Sequence, residues 1–176
     1  LHLTVYRPDT IDHLERLGAT AHPVHLKIDT GMHRAGCDPS QARQLATAIG
    51  RSPATELAGV FTHLACADDP SDSFTRTQIE RFDAVVSGLV AAGVEMPLVH
   101  IGNSAGAMAH PDACRDVVRL GIAIYGISPG GPLDQLTCDL GLRPALSLKA
   151  RVSAVRHVPA GDGVSYGLRH RFTADT

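Results

Sequence analysis

A short apolar run ends in polar residues in the stretch Val24-His-Leu-Lys-Ile-Asp-Thr-Gly-Met-His-Arg34. Three further runs follow the same plan, at residues 57–64, 98–104 and 117–126. Short apolar runs bounded by turn residues are typical of strands that are buried on both faces, as in a parallel sheet. Because α/β enzymes keep their chemistry at the carboxyl ends of such strands, the sequence predicts part of a catalytic scaffold.

Helical patterns separate these runs. Apolar residues recur at helical spacing over residues 9–17, 39–50 and 73–92, and a short helix is predicted to open at Ser104. Pro39 stands at the predicted start of one helix, and Gly50 and Gly93 stand at predicted ends. Residues 1–6 are predicted to form the first strand. Since strands and helices alternate, we predict βαβ units, a parallel sheet and an α/β fold class.

The pattern changes after Gly126. Residues 142–166 lack helical periodicity, and the stretch Leu146-Ser-Leu-Lys-Ala-Arg-Val-Ser-Ala-Val155 alternates like a half-exposed strand. Residues 164–166 predict another strand. We therefore expect a domain boundary near residue 140, with a β-rich domain beginning at residue 141. The 176 residues are too few for a whole eight-stranded βα barrel of about 250 residues, so we expect an internal piece of a longer protein.

Composition excludes several classes of protein. The 16 basic and 18 acidic side chains give a net charge of −2 without long runs, which disfavours nucleic-acid binding. No stretch reaches the roughly 20 apolar residues of a membrane span. Four scattered cysteines without a Cys-x-x-Cys pair favour free thiols in a reducing cytoplasm. Ten histidines lack the spacing of metal ligands, so no metal site is predicted.

The first polar cluster offers two interpretations. Lys27 and Asp29 share a parity in the predicted strand and are expected to point to one face. Gly31 permits a turn, and Arg34 lies just past the strand end, within reach of a bound anion. A buried Lys–Asp pair with a surface arginine explains these residues equally well.

The other clusters are also ambiguous one by one. His63 ends its strand, where imidazole packs as readily as it reacts. Asn103 and Ser104 suit a phosphate cradle or an ordinary helix cap. Arg119 in an apolar run requires an acidic partner or a ring acceptor, and Gly121 permits close backbone approach. Together they place an anion cradle and several cations at one end of a sheet, which suits a phosphorylated aromatic cofactor such as pyridoxal phosphate.

Five motifs occur in the order found in one enzyme family. They are Lys-Ile-Asp-Thr-Gly-Met-His-Arg (27–34), Thr-His-Leu-Ala-Cys-Ala-Asp (62–68), His-Ile-Gly-Asn-Ser-Ala (100–105), Arg-Leu-Gly-Ile-Ala-Ile-Tyr-Gly (119–126) and Pro-Ala-Leu-Ser-Leu-Lys-Ala-Arg-Val (144–152). From about residue 24 to 167 the chain resembles the alanine racemases, which are pyridoxal-phosphate enzymes with a βα barrel followed by a β domain. The resemblance implies that residues 1–140 form the second half, the C-terminal part, of a TIM-type barrel and that 141–176 begin the β domain.

The resemblance also implies roles for the first two clusters. Lys27 matches the lysine that is often carbamylated in the family and positions the neighbouring arginine. Arg34 matches that arginine, which bonds the phenolic oxygen of the cofactor and lies near the substrate carboxylate. His63 matches the histidine packed against the cofactor ring.

For the later clusters the implied roles concern the phosphate and the pyridine nitrogen. Ser104 and the backbone of Gly121 and Ile122 match part of the phosphate site, and Asn103 flanks it. Arg119 matches the arginine that bonds the pyridine nitrogen, which a guanidinium leaves unprotonated. We therefore expect Arg34, His63, Ser104 and Arg119 to surround one cavity.

Both catalytic bases of the family fall outside the matched positions, and the only lysines are Lys27 and Lys149. The expected function is that of a fragment of an alanine racemase, which interconverts L- and D-alanine for cell-wall synthesis as a cytoplasmic homodimer. Alone, the chain is expected neither to racemise alanine nor to hold the cofactor covalently. Another amino-acid racemase or decarboxylase of the same superfamily, a non-catalytic cofactor carrier and a purely structural fragment remain open alternatives.

Overall fold

The computed structural model describes all residues, 1–176, and separates into two compact units, Leu1–Ala145 and Leu146–Thr176. The sequence prediction placed the corresponding boundary between residues 140 and 141. The first unit holds a four-stranded parallel sheet, and the second holds a two-stranded antiparallel sheet.

The first unit alternates strands and helices, which confirms the α/β fold class. Its strands are β1 (Leu3–Val5), β2 (His22–Lys27), β3 (Thr55–Phe61) and β4 (Val99–His100), in the order β1-β2-β3-β4. Its helices are α1 (Pro8–Arg16), α2 (Ala42–Arg51), α3 (Phe74–Ala91), α4 (Ser104–Ala109) and α5 (Asp134–Asp139). Short 3-10 turns occupy Pro39–Gln41, Pro111–Ala113, Ile122–Tyr125 and Gly131–Leu133.

The core lies between the sheet and the helices. Val24 and Leu26 alternate along β2 and are fully buried, and Ile28 continues the row beyond the strand. The facing stripe of α3 contributes Phe82, whose side chain is also fully buried. Burying a side chain of this size stabilises the fold by about 2–3 kcal/mol. The opposite face of β2 carries His25 and Lys27, so one face of the strand is packed against helices and the other carries polar groups.

The predicted helices occur close to their expected positions. α3 ends at Ala91, and Gly93 adopts the left-handed conformation (φ 78°) that favours glycine after a helix. Gly50, however, does not end α2, which continues to Arg51.

The prediction of a strand over residues 117–126 was wrong. Only two backbone hydrogen bonds join this region to β4 and the residues just after it. The Asp116 N–H donates to the Val99 carbonyl, and the Arg119 N–H donates to the Gly102 carbonyl. No strand pairs with the other side of the segment, so its apolar side chains are exposed, Ile124 by 66%. The chain then closes into the 3-10 turn Ile122–Tyr125, because an apolar run without partners on both sides has no ladder to join.

The prediction of a strand over residues 146–155 was also wrong. The segment contains no regular structure, and Leu148 is 97% exposed. Alternation predicts a strand only where a partner strand is present, and none lies beside this segment. The second unit instead pairs β5 (Gly163–Val164) with β6 (His170–Arg171), and the 3-10 turn Tyr166–Leu168 lies between them in the sequence. The predicted strand over residues 164–166 corresponds in part to β5.

The chain has no membrane-spanning helix, no cluster of metal ligands and no disulfide. No helix combines the length and the apolar character that crossing a bilayer requires. No group of three histidine, cysteine or carboxylate side chains is arranged to hold a metal ion, and all four cysteines are unpaired.

Candidate functional site

A cavity of about 400 Å³ lies at the loops that follow β3 and β4. Sites for small ligands usually enclose about 300–1,000 Å³. Six of the predicted site residues line it, namely His63, Asn103, Ser104, Arg119, Gly121 and Ile122, together with Asp68, Ala105 and Pro129. A hollow of similar size between α3 and α4 contains none of the predicted residues. The carboxyl ends of two adjacent parallel strands therefore bring the predicted groups to one place.

Ser104 organises the far wall of this cavity. Its buried hydroxyl oxygen accepts hydrogen bonds from the N–H groups of Gly121, at 2.8 Å, and Ala123, at 3.4 Å. The turn after Arg119 is thereby tied to the start of α4. The Gly121 N–H, to which the family resemblance gave a phosphate-binding role, is thus already bonded within the chain, whereas the Ile122 N–H has no partner there.

Asn103 is the N-cap of α4. Its side-chain oxygen accepts from the Gly106 N–H at 2.8 Å, and its amide nitrogen donates to the Leu64 carbonyl at 3.2 Å. The first two N–H groups of the helix, those of Ser104 and Ala105, have no partner within the chain. These donors and the Ile122 N–H form an electropositive corner of the cavity.

Arg119 reaches into the cavity from the segment beside β4. Its Nη2 donates to the carbonyls of Thr62, at 2.7 Å, and Ile101, at 3.0 Å, and its Nη1 bonds His100 Nδ1 at 2.7 Å. Burial lowers its pKa to about 10, so the side chain remains a cation at neutral pH. A guanidinium has five N–H donors. Three are used here, which leaves the Nε–H and one Nη1–H free for a ligand.

His63 is half-buried and faces the same cations. Burial and, to a smaller extent, the nearby charges of Arg119, Arg34 and Lys27 together lower its pKa to about 4. The imidazole is therefore neutral at physiological pH. A neutral aromatic ring in this position suits stacking on a planar ligand better than pairing with an anion.

Lys27 and Arg34 do not line the cavity. Arg34 is exposed and is not among the residues that line this cavity, so its expected convergence with His63, Ser104 and Arg119 stays a prediction. Lys27 is 9% exposed and lies 5.7 Å from the centre of the Phe61 ring. The polar face of the sheet nevertheless keeps both cations near the site, since each depresses the pKa of His63.

The Lys27–Asp29 pair, one of the two interpretations of the first cluster, does not form. None of the three ion pairs of the chain involves Lys27. Asp29 instead accepts from the N–H groups of Gly31, at 2.9 Å, and His33, at 3.1 Å. Burial, Arg34 and Arg119 lower the pKa of Lys27, and Asp29 opposes them.

Sequence reasoning missed the buried amide that ties the loops together. Gln78 of α3 is fully buried, and its side chain bonds the Ala65 N–H at 2.8 Å, the His63 carbonyl at 3.1 Å and the Thr30 hydroxyl at 3.2 Å. Thr30 in turn bonds the Thr62 hydroxyl at 2.8 Å. A glutamine on the apolar stripe of a predicted helix is the signal that was available for it.

Sequence reasoning also missed His100 and Phe61, the side chains that contact Arg119. His100 is 6% exposed and stacks on Phe61, with ring centres 4.7 Å apart and planes 7° apart. The guanidinium of Arg119 lies 5.0 Å from the centre of the same Phe61 ring. A histidine within an apolar strand was the available signal, because such a side chain requires a hydrogen-bond partner.

Comparison with known proteins agrees with this geometry. Residues 1–129 match the family described as alanine racemase, N-terminal domain. Similar curated proteins include the alanine racemases of Symbiobacterium thermophilum, 45% identical over 155 residues, and Thermobifida fusca, 44% identical over 150 residues. These matches span 88% and 84% of the chain, respectively. They span 40% and 39% of the two relatives, so the matched segment is about two fifths of their length.

Solved structures show the same likeness. The alanine racemase from Streptomyces coelicolor A3(2) matches over the whole chain with a TM-score of 0.86 and 33% identity. The enzyme from the D-cycloserine producer Streptomyces lavendulae matches over 99% of the chain with a TM-score of 0.85 and 34% identity. The matches cover 48% and 47% of those chains.

Proposed function

The chain belongs to the alanine racemase family, and on this premise we propose that it supplies the pyridoxal-phosphate-binding half of an alanine racemase. In this proposal residues 1–140 form the second half of a TIM-type βα barrel, and residues 141–176 begin a β domain. The whole enzyme interconverts L- and D-alanine as a cytoplasmic homodimer. The observation that carries the proposal is the gathering of six predicted residues around one cavity.

The donors at one end of the cavity fit a phosphate. The N–H groups of Ser104, Ala105 and Ile122 are unused within the chain, and the Ser104 hydroxyl retains its own proton for donation. Asp68 also lines the cavity and is the one carboxylate that faces a bound phosphate there. Its repulsion is outweighed if three backbone donors and a hydroxyl converge on the anion, since each bond to a charged group contributes about 1.5–3 kcal/mol.

Arg119 fits the ring nitrogen. When bound, pyridoxal phosphate supplies an electron sink that acidifies the α-hydrogen of an amino acid. The free N–H donors of Arg119 would bond the pyridine nitrogen and would not release a proton to it. The carbonyls of Thr62 and Ile101 and the ring of His100 hold the guanidinium in place during this contact. His63, kept neutral by burial and by nearby cations, packs against the ring without competing for its phosphate.

Lys27 has the surroundings that favour carbamylation. Its ammonium is buried without a carboxylate partner and lies near the charges of Arg34 and Arg119. The lowered pKa increases the neutral amine, whose nitrogen attacks carbon dioxide to form an N–C bond and release one proton. The carbamate converts an unpaired cation into an anion that supports Arg34, which then contacts the substrate carboxylate. Carbon-13 NMR in labelled bicarbonate should show one carbamate signal that Lys27→Ala removes and Lys149→Ala retains.

The proposed cellular setting follows from the same features. Four unpaired, scattered cysteines suit the reducing cytoplasm. A homodimer with an amino-acid substrate is proposed from the family membership. We propose no nucleic-acid or membrane partner, because the charges of the chain are mixed and form no basic stripe.

Equilibrium dialysis of the chain against pyridoxal phosphate tests the proposal. We expect reversible binding that Ser104→Ala weakens about 10- to 100-fold, since it removes a hydrogen bond to a charged group. Ser40→Ala is the matched control, because Ser40 bonds only Asp38 on the surface. Pyridoxal without its phosphate should bind weakly to all three proteins. Equal binding of pyridoxal and pyridoxal phosphate would contradict the assigned phosphate corner.

A further inference from the structure

A row of histidines crosses the sheet behind Arg119. His100 of β4 contacts the guanidinium, His25 of β2 contacts His100, and His2, just before β1, contacts His25. His100 Nε2 lies 2.8 Å from His25 Nδ1, and His25 Nε2 lies 2.9 Å from His2 Nδ1. We infer that these three residues, the histidine series, are positioning residues for Arg119 and that Arg119 fixes the direction of every hydrogen bond in the series. That the positioned Arg119 then faces the ring nitrogen of a cofactor rests on the proposed function.

The direction follows from the donors available. A guanidinium carries only donors, so His100 Nδ1 must accept from Arg119, and the proton of neutral His100 sits on Nε2. That N–H donates to His25 Nδ1, which places the proton of His25 on its own Nε2. The latter N–H donates to His2 Nδ1 at the exposed end. All three imidazoles therefore carry their proton on Nε2, and no bond in the series can reverse while Arg119 is charged.

The neutral state that this order requires is supported by burial. His100 is buried, and burial together with Arg119 lowers its pKa to about 4, against the opposing charge of Asp116. Burial also lowers the pKa of His25, with smaller contributions from His2 and Arg119. A second proton on either ring would remove the acceptor that its neighbour needs.

The sheet leaves room for the series at one position. His25 and His100 lie in β2 and β4, with β3 between them. A Cβ atom at Gly59 of β3 would lie 2.5 Å from His25 Nδ1, so any side chain there would occupy the path between the two rings. Phe61, two residues further along β3, then stacks on His100. Gly59 thus leaves the space in which the His25 and His100 rings meet, and Phe61 packs against the His100 ring.

Without His25, the series no longer determines the state of His100. The His100 Nε2–H would lose its acceptor in a buried place, and the ring would be free to carry its proton on Nδ1. In that form Nδ1 cannot accept from Arg119, so one of the three anchors of the guanidinium is lost. The carbonyls of Thr62 and Ile101 would remain, and the side chain would keep its place more loosely.

Nitrogen-15 NMR of the full chain tests this inference without any cofactor. We expect Nε2-protonated tautomers for His25 and His100 and a scalar coupling across the N–H···N bond between them. His25→Leu should release the His100 tautomer and accelerate exchange of the Arg119 Nη1 protons about tenfold, the equivalent of one hydrogen bond. His25→Gln should preserve slow exchange, because its carboxamide both accepts and donates. His22→Gln is the matched control on the same strand, outside the series.

The outcomes separate this inference from the proposed function. Absence of the coupling, or unchanged Arg119 exchange in folded His25→Leu, overturns it. If His25→Leu does not fold, two measurements decide the question, the N–H···N coupling in the wild type and the slow Arg119 exchange in His25→Gln, and the absence of either overturns the inference. An intact histidine series in a chain that fails to bind pyridoxal phosphate contradicts the proposed function alone.

Discussion

Acidification should destabilise the chain through His100 well before most of its carboxylates take up protons. The ring is buried, and its pKa is about 4 in the folded chain against an ordinary 6.5. Above pH 6.5 it is neutral in both states and contributes no pH dependence. Between pH 6.5 and 4 the unfolded chain binds a proton that the folded chain does not, so the free energy of unfolding falls. Below pH 4 the loss is complete, at roughly 3 kcal/mol.

The useful comparison lies between pH 7.5 and pH 5.0. Over this interval the linkage relation gives a loss of about 2 kcal/mol from His100 alone. With a urea dependence of about 1–3 kcal/mol per molar, the midpoint falls by about 1 M more than it does without this group. Circular dichroism is the suitable probe, because the chain contains no tryptophan.

His100→Gln provides the matched variant. Its amide oxygen can still accept from Arg119, but the side chain does not titrate. We expect this variant to lose about 2 kcal/mol less than the wild type between the two pH values, while His63 and the surface groups contribute equally to both. The same pH dependence in both proteins would refute the reasoning, since it would show that His100 does not carry the linkage.

Other expected outcomes concern packing, the buried amide and the lysines. Gly59→Ala should lower the free energy of unfolding by about 1–3 kcal/mol in urea titrations, because the methyl group overlaps neighbouring atoms. Gly50→Ala, in a helix and with nothing within 4 Å, should raise it by about 0.5–1 kcal/mol, and a loss there would contradict the packing described. Gln78→Leu should cost about 2–4 kcal/mol by the same assay, because buried groups on two loops lose their partner, and a neutral result would exclude this role. After treatment with pyridoxal phosphate and borohydride, mass spectrometry should find Lys27 unmodified, with the exposed Lys149 as the control. A stable adduct at Lys27 would overturn the supporting role proposed for it.

Much of this arrangement was predictable because local pattern and tertiary environment agree. The apolar stripe of α3 and the buried residues of β2 repeat at the spacing that their structures impose. Strand ends in a parallel sheet lie at one edge, so the convergence of His63 and Ser104 followed from their positions after β3 and β4. Arg119 was predicted within the same sheet, in a strand that does not form. These predictions needed only periodicity and topology.

The failures occurred where the environment, rather than the local pattern, decides the structure. Residues 117–126 carry strand-forming side chains but have a neighbouring strand on one side only, so they form no strand and Ile122–Tyr125 close into a 3-10 turn. A Lys27–Asp29 ion pair was one of two interpretations of the first cluster, yet two nearby backbone N–H groups satisfy the Asp29 carboxylate. The bond between His25 and His100 joins positions 75 residues apart and depends on the open space above Gly59, which no local pattern reveals.

The most direct measurement of the central claim is a backbone and guanidinium nitrogen NMR titration of the chain with pyridoxal phosphate. Saturable shifts should be confined to the cavity, with the largest at the amides of Ser104, Ala105 and Ile122 and at Arg119 Nε. Shifts that are absent, or that centre on the hollow between α3 and α4, would contradict a phosphate-and-ring site at the ends of β3 and β4.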